Sequence, residues 1–134
     1  MAILTESEIE YATLTWLVSL GYTSIFGPDI APEEPAAERE SFLEVLLTRR
    51  LQYALRLLNP SIPADALEEA LRKVSRPESP SLLANTRAIH RQLIDGVSVE
   101  YQRKDGSIAG DHARLLDFEN PENNEFLAIN QFTV

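Results

Sequence analysis

The sequence predicts an α/β fold in which helices come first and a mostly antiparallel set of strands follows. Three observations carry that reading. Apolar residues recur at helical spacing as far as about residue 95, in segments bounded by capping and breaking residues. From Val97 the period changes to two. The nine residues Phe126 to Val134 are apolar and β-prone, and follow the turn-like Asn120-Pro121-Glu122-Asn123-Asn124.

Thr5 and Glu8 have capping-box spacing, in which a hydroxyl and a carboxylate satisfy each other's orphan backbone amides. Ile9, Ala12, Trp16 and Leu20 put one apolar stripe on a first helix, expected from about 6 to 20. Gly21 suits the left-handed position that ends it. Tyr22 to Phe26 is a short β-prone stretch. The prolines Pro28, Pro32 and Pro35 make the segment 27–35 a loop. Ser41 and Glu44 make a second capping box. After it, Leu43, Leu47, Leu51, Ala54, Leu55 and Leu58 predict a second helix that ends near Asn59-Pro60. Pro63 suits the first turn of a third helix, with Leu67, Ala70, Leu71 and Val74 facing inward. Residues 76–80 are a connector. A fourth helix is expected from Ser81 to about Ile94, with Leu82, Thr86, Ile89 and Leu93 on one side and Gly96 as its stop.

Val97, Val99 and Tyr101 then alternate with Ser98 and Glu100, and Lys104-Asp105-Gly106-Ser107 is a strong hairpin turn. The return strand is either Ile108 onward or the 113–118 run. The closing run, Phe126 to Val134, reads as a buried strand with no polar tail, whereas domains normally end at solvated, frayed termini. The expectation is therefore the front piece of a longer protein, with strand partners further along.

Composition bounds the function. At 134 residues and 44% hydrophobic the chain can build one ordinary core, and a charged fraction of 25% does not suggest disorder. No apolar run approaches the roughly 18 residues of a membrane span. Met1 to Leu4 leads into the acidic Thr5-Glu6-Ser7-Glu8, not into a signal peptide. Cysteine is absent, which excludes disulfides and thiolate metal sites and fits a reducing compartment. The expectation is a soluble, cytoplasmic chain with no membrane partner.

A net charge of −9 argues against a general nucleic-acid binder, but its distribution is uneven. Residues 1–44 carry nine acids and one base (−8), residues 45–94 eight bases and four acids (+4), and residues 95–134 eight acids and three bases (−5). Any phosphate-facing surface comes from the middle. There Arg49 and Arg56 lie seven apart, while Arg72 and Arg76, and Arg87 and Arg91, are each four apart. Each of three successive helices thus presents a guanidinium pair. These can track phosphates or pair with the acids of the front segment, and internal pairing is the favoured reading.

Complete catalytic sets are missing. Gly21, Gly27, Gly96, Gly106 and Gly110 are scattered, so no phosphate-cradling loop can be drawn and ATP binding by this segment is not expected. His90 has Arg87 and Arg91 as neighbours, and His112 follows Asp111 with nothing else at metal-ligand spacing, so both read as structural or surface residues. There is no Gly-x-Ser-x-Gly elbow and no Asp/Glu-x-Lys arrangement on a β-strand. Glu6 and Glu10, at i and i+4, share a helix face.

Several segments carry a family resemblance. They are Gly27-Pro28-Asp29-Ile30-Ala31, Glu38-Arg39-Glu40-Ser41, Leu58-Asn59-Pro60, Arg76-Pro77-Glu78-Ser79 and Gly96-Val97-Ser98-Val99-Glu100-Tyr101. Above all, Asp117-Phe118-Glu119-Asn120-Pro121-Glu122-Asn123-Asn124 precedes Phe126-Leu127-Ala128-Ile129-Asn130-Gln131-Phe132. In this order and spacing they resemble the opening of type I restriction endonuclease R subunits, over essentially the whole chain.

The resemblance implies an ATP-driven DNA translocase with an N-terminal nuclease domain of the PD-(D/E)xK type and two helicase-like motor lobes. Such a subunit assembles with a modification and a specificity subunit, and cleaves DNA with Mg2+ while consuming ATP. On this reading residues 1–134 are the front of a restriction-endonuclease-like domain, helical over about 1–95 and stranded over about 97–134. The motor domains, the metal-binding Asp strand and the Glu-x-Lys strand then lie beyond Val134. The one catalytic element that carries over is an acidic residue on the first helix. It matches Glu10, as an accessory group, with Glu6 and Glu8 as competing alignments. Arg49, Arg56, Arg87 and Arg91 are the candidate DNA contacts, and the isolated segment is expected to be inert. The alternative is a non-enzymatic docking module for the modification subunit or the motor; a stand-alone regulator lacking the catalytic strands is a third, weaker reading.

Overall fold

A computed structural model describes residues 3–134; Met1 and Ala2, where a signal peptide would begin, lie outside the described residues. The chain forms two compact units. One comprises the chain up to Leu47 together with Glu125–Val134, the other Thr48–Asn124.

The first unit opens with helix α1 (Glu6–Ser19), whose N-cap Thr5 forms the expected capping box with Glu8. Its C-terminus is a Schellman motif: the Tyr22 amide donates to Leu17 O and the Gly21 amide to Val18 O, with Gly21 at φ +100°. This turn feeds strand β1 (Thr23–Phe26), followed by a 3-10 turn over Gly27–Ile30. The second unit holds α2 (Thr48–Leu58), α3 (Ala64–Ser75), α4 (Leu82–Asp95), β2 (Val97–Gln102) and β3 (Ile108–Ala113). Strand β4 (Leu127–Asn130) returns to the first unit.

The α/β class is as expected, with four helices among the described residues, but the strand arrangement differs. β2 and β3 form the antiparallel hairpin, which selects Ile108 and not the 113–118 run as the return strand. β4 does not extend that hairpin. It pairs parallel to β1, with Thr23 opposite Leu127 and Phe26 opposite Asn130. The two-stranded sheets are thus one parallel and one antiparallel, not mostly antiparallel. The expected closing strand of nine residues is only four long, because Gln131 takes φ +51° and turns the backbone out of the extended region.

Two helix expectations are also corrected. The second helix begins at Thr48, not at Ser41, and Leu43 is 86% exposed. The Arg39 guanidinium explains this. Its Nη2 donates to Phe42 O (2.6 Å) and its Nε to Glu44 O (2.7 Å), carbonyls that an α-helix here would give to the amides four residues on. The Glu44 carboxylate meanwhile accepts from the Glu40 amide at 2.7 Å, so the Ser41 capping box does not form. On α1 no residue is fully buried, and Trp16 is 71% exposed. The half-buried positions are Glu10, Leu14 and Leu17, so the inward face is offset from the Ile9–Trp16–Leu20 stripe and contains a carboxylate.

The second unit follows the sequence in its elements and in the faces of α2 and α3, but α4 buries no residue: Leu82, Thr86, Ile89 and Leu93, the expected apolar side, are all exposed, and its half-buried positions are Asn85 and Gln92. Leu55, Ile62, Ala66, Leu67, Ala70, Val97, Val99 and Ala113 form its core, with Leu71 and Val74 packed against it. Asn59, 5% exposed, ends α2 by donating to Leu55 O (2.8 Å) and Arg114 O (3.0 Å) while accepting from the Arg114 amide (2.7 Å). Ser81 caps α4, and Gly96 ends it at φ +83°, where a Cβ would stand 2.8 Å from Ala113 O.

The loop after β3 is organised by one carboxylate. Asp117 accepts from the amides of Glu119 (3.1 Å) and Asn120 (3.0 Å) and from Asn123 Nδ2 (3.1 Å), while Asn124 Oδ1 accepts from the Asp117 amide. The Asn120 amide and the Asn123 side chain hold the Asp117 carboxyl below its ordinary value of 3.8. A depressed folded-state pKa contributes stability that is present above that ordinary value and is lost as pH falls through the folded value. Acid titration followed by NMR should therefore release the Glu119 and Asn120 amides only below about pH 3.8. In Asp117→Asn they should exchange faster at neutral pH, with no such acid step.

Candidate functional site

The inward face of α1 delivers Glu10 to the carboxyl end of the parallel pair β1–β4. Open α/β sheets place their ligands at that end of parallel strands. Gln131, the first residue after β4, donates its Nε2 to both oxygens of the Glu10 carboxylate, at 3.0 and 3.2 Å. The Thr23 amide bonds Phe126 O at 2.8 Å, and the Tyr22 and Phe126 rings meet with centroids 5.4 Å apart, which fixes the register just before the site. Gly27, buried, allows β1 to leave the sheet closely against β4: a Cβ there would stand 2.5 Å from Asn130 O and 2.6 Å from Gln131 O.

The structure separates the three acids that competed for the role of helix carboxylate. Glu8 Oε2 accepts from the Thr5 amide (2.7 Å) and hydroxyl (2.9 Å), bonds that lower its pKa, so it is spent on the cap. Glu6 is exposed. Glu10 alone of the three reaches the strand ends. Sequence reading missed Gln131, whose only signal was a polar Asn130-Gln131 step inside an apolar run.

Arg49, Arg56, Arg87 and Arg91 lie in the second unit, all exposed, and make no ion pair among the described residues. The favoured internal pairing is therefore not seen for these four. The Lys73–Glu69 pair at 3.2 Å is one internal ion pair of the middle segment. Arg87 and Arg91 share one face of α4 with His90, and with Thr86, Ile94 and Asp95 they line a groove of about 470 Å³. Arg49 stands in the first turn of α2, where the helix dipole disfavours a cation, so helix stability does not account for it. His112 lines a separate cavity of about 380 Å³ with Asp95, Asp111, Arg114 and Glu119. Among the described residues no group of three or more His, Cys, Asp or Glu side chains could hold a metal ion. Glu10 therefore belongs to no such group among the described residues. No helix among the described residues is long and apolar enough to cross a membrane.

Residues 3–134 match the family model described as "Type I restriction enzyme R protein N terminus". The chain belongs to this family. Two curated relatives agree with that family. The chain is 33% identical over 132 residues to the type I restriction enzyme HindI endonuclease subunit of Haemophilus influenzae, covering 98% of this chain and 12% of that subunit. It is 31% identical over 126 residues to the putative type I restriction enzyme MjaIXP endonuclease subunit of Methanocaldococcus jannaschii, covering 94% and 12%. The chain thus spans about an eighth of the length of the curated relatives it matches. No solved structure matches it significantly.

Proposed function

We propose that this chain is the opening part of the endonuclease domain of a type I restriction R subunit, with a restriction-endonuclease-like fold completed by residues of the longer subunit. The observation that carries the reading is the placement of Glu10. It is the one acid of α1 brought to the carboxyl ends of parallel strands, in a chain that belongs throughout to an R-protein family. In the whole subunit the DNA strand would be cut by metal-dependent hydrolysis coupled to ATP use. Mg2+ would be held mainly by acids outside this segment, because no three potential ligands cluster among the described residues. ATP would bind elsewhere too, since the scattered glycines make no phosphate loop. Glu10 serves as an accessory carboxylate beside the reacting phosphate or its water. The modification and specificity subunits are the assembly partners, and target choice belongs to the latter. The compartment is the cytoplasm.

The exposed arginines give this segment its part in DNA binding. Arg87 and Arg91 on α4, with Arg49 and Arg56 on α2, supply exposed guanidinium groups that make no ion pair among the described residues. Backbone phosphates are their natural partners, and such contacts carry affinity without sequence preference. The chain should therefore bind duplex DNA weakly, without cutting it, and with a steep salt dependence. In Arg87→Glu/Arg91→Glu the slope of log affinity against log salt should flatten by about two. Binding and slope unchanged by the double variant would favour the docking-module alternative, in which this face meets a protein.

A further inference from the structure

We infer that Gln131 is the positioning residue for the Glu10 carboxylate; the inference rests on the nuclease reading above. Three separate features converge on it. The first is the bond itself: one side-chain amide nitrogen donates to both oxygens of the carboxylate, at 3.0 and 3.2 Å, which holds the group with both oxygens turned toward the end of β4. The second is backbone conformation. Gln131 has φ +51°, a left-handed geometry that is uncommon for a residue other than glycine, asparagine or aspartate. Glu33 is the other such residue among those described, and it lies in the loop 31–35. Strained backbone of this kind persists where the surrounding structure over-determines it, and such outliers concentrate at functional sites. The third is clearance. Gly27 sits so close to Asn130 O and Gln131 O that any Cβ would push the turn away, so a glycine at the end of β1 secures a glutamine at the end of β4.

The chemistry fits positioning and not simple stability. Glu10 and Gln131 are both accessible enough to be hydrated, so their bond adds little to folding. What it does is remove the rotational freedom of a glutamate at the mouth of the parallel pair. A carboxylate that must meet a phosphate or a water in one orientation gains rate from being held there before the substrate arrives. Gln131 touches neither DNA nor the reacting atoms on this account; it acts through Glu10.

Two measurements test this. In the chain itself, the side-chain amide protons of Gln131 in a 1H–15N spectrum should be displaced from those of the other glutamines. They should move to the free-glutamine position in Glu10→Ala. In an R subunit carrying this segment, Gln131→Met keeps the side-chain length and removes the donor. It should lower the single-turnover cleavage rate at saturating DNA roughly 10- to 100-fold, leaving ATP hydrolysis and the DNA concentration for half-saturation unchanged. Adding Gln131→Met to Glu10→Ala should cost nothing further. A free-glutamine signal in the unaltered chain, or losses that multiply in the double variant, would overturn the positioning role while leaving the nuclease reading intact. Full-rate cleavage by Glu10→Ala would overturn the function of Glu10, and this inference with it, whatever the amide signal shows.

Discussion

Replacing Arg39 by alanine is expected to destabilise the protein by about 3–5 kcal/mol, a large part of the 5–15 kcal/mol typical of a domain. Arg39 is 3% exposed, and its three donor bonds all go to backbone carbonyls: Phe42 O, Glu44 O and Thr133 O at 2.6, 2.7 and 2.7 Å. The guanidinium lies over the Phe132 ring, 3.9 Å from its centroid, and 5.7 Å from that of Phe42, so aromatic contact adds to the carbonyl bonds. Removing it takes the side-chain donor from three part-buried carbonyls at once, and each one left unsatisfied costs about 1–3 kcal/mol. It also severs the tie between the 40–44 loop and Thr133, residues far apart in sequence. Lysine should rescue poorly, because one ammonium cannot reproduce a planar fork. Urea denaturation gives the magnitude. Hydrogen exchange should locate the loss in the amides of Thr23–Phe26 and Leu127–Asn130.

Leu55→Ala should cost about 2–5 kcal/mol, against less than about 0.5 kcal/mol for Leu57→Ala. The two leucines lie half a turn apart on α2, yet Leu55 is 1% exposed at the centre of the α2–α3–β2 core and Leu57 is 54% exposed. Truncating Leu55 removes its packing from the cluster that holds Ile62, Leu67 and Val97 and leaves a cavity between elements fixed by Asn59 and by the hairpin. Equal effects in thermal or urea unfolding would mean that the inward face of α2 has been misassigned.

What the sequence revealed, and what it hid, divides along the range of the forces involved. α3, α4 and the β2–β3 hairpin were legible because their signals are local: Ser81 and Gly96 bound one helix, and Gly106 at φ +87° turns the hairpin between alternating residues. The start of α2 was hidden because a buried arginine takes the carbonyls a longer helix would use, and no periodicity rule contains that competition. The parallel pairing of β1 with β4 was equally invisible, since four-residue strands at opposite ends of the chain carry no register information. Glu10 was reached through family resemblance alone. Yet the line Glu10, Leu14, Leu17 is itself helically spaced, and a carboxylate on such a line is the signal that would have marked it. Gln131 needed the folded backbone.

Whether α1 contributes its Glu10 carboxylate to a nuclease centre is read from DNA cleavage in an R subunit carrying the segment, with ATP hydrolysis followed in the same samples. Glu10→Ala should slow cleavage by about tenfold or more while ATP hydrolysis stays at the unaltered rate. Cleavage at full rate by a folded Glu10→Ala subunit would exclude Glu10 from that centre.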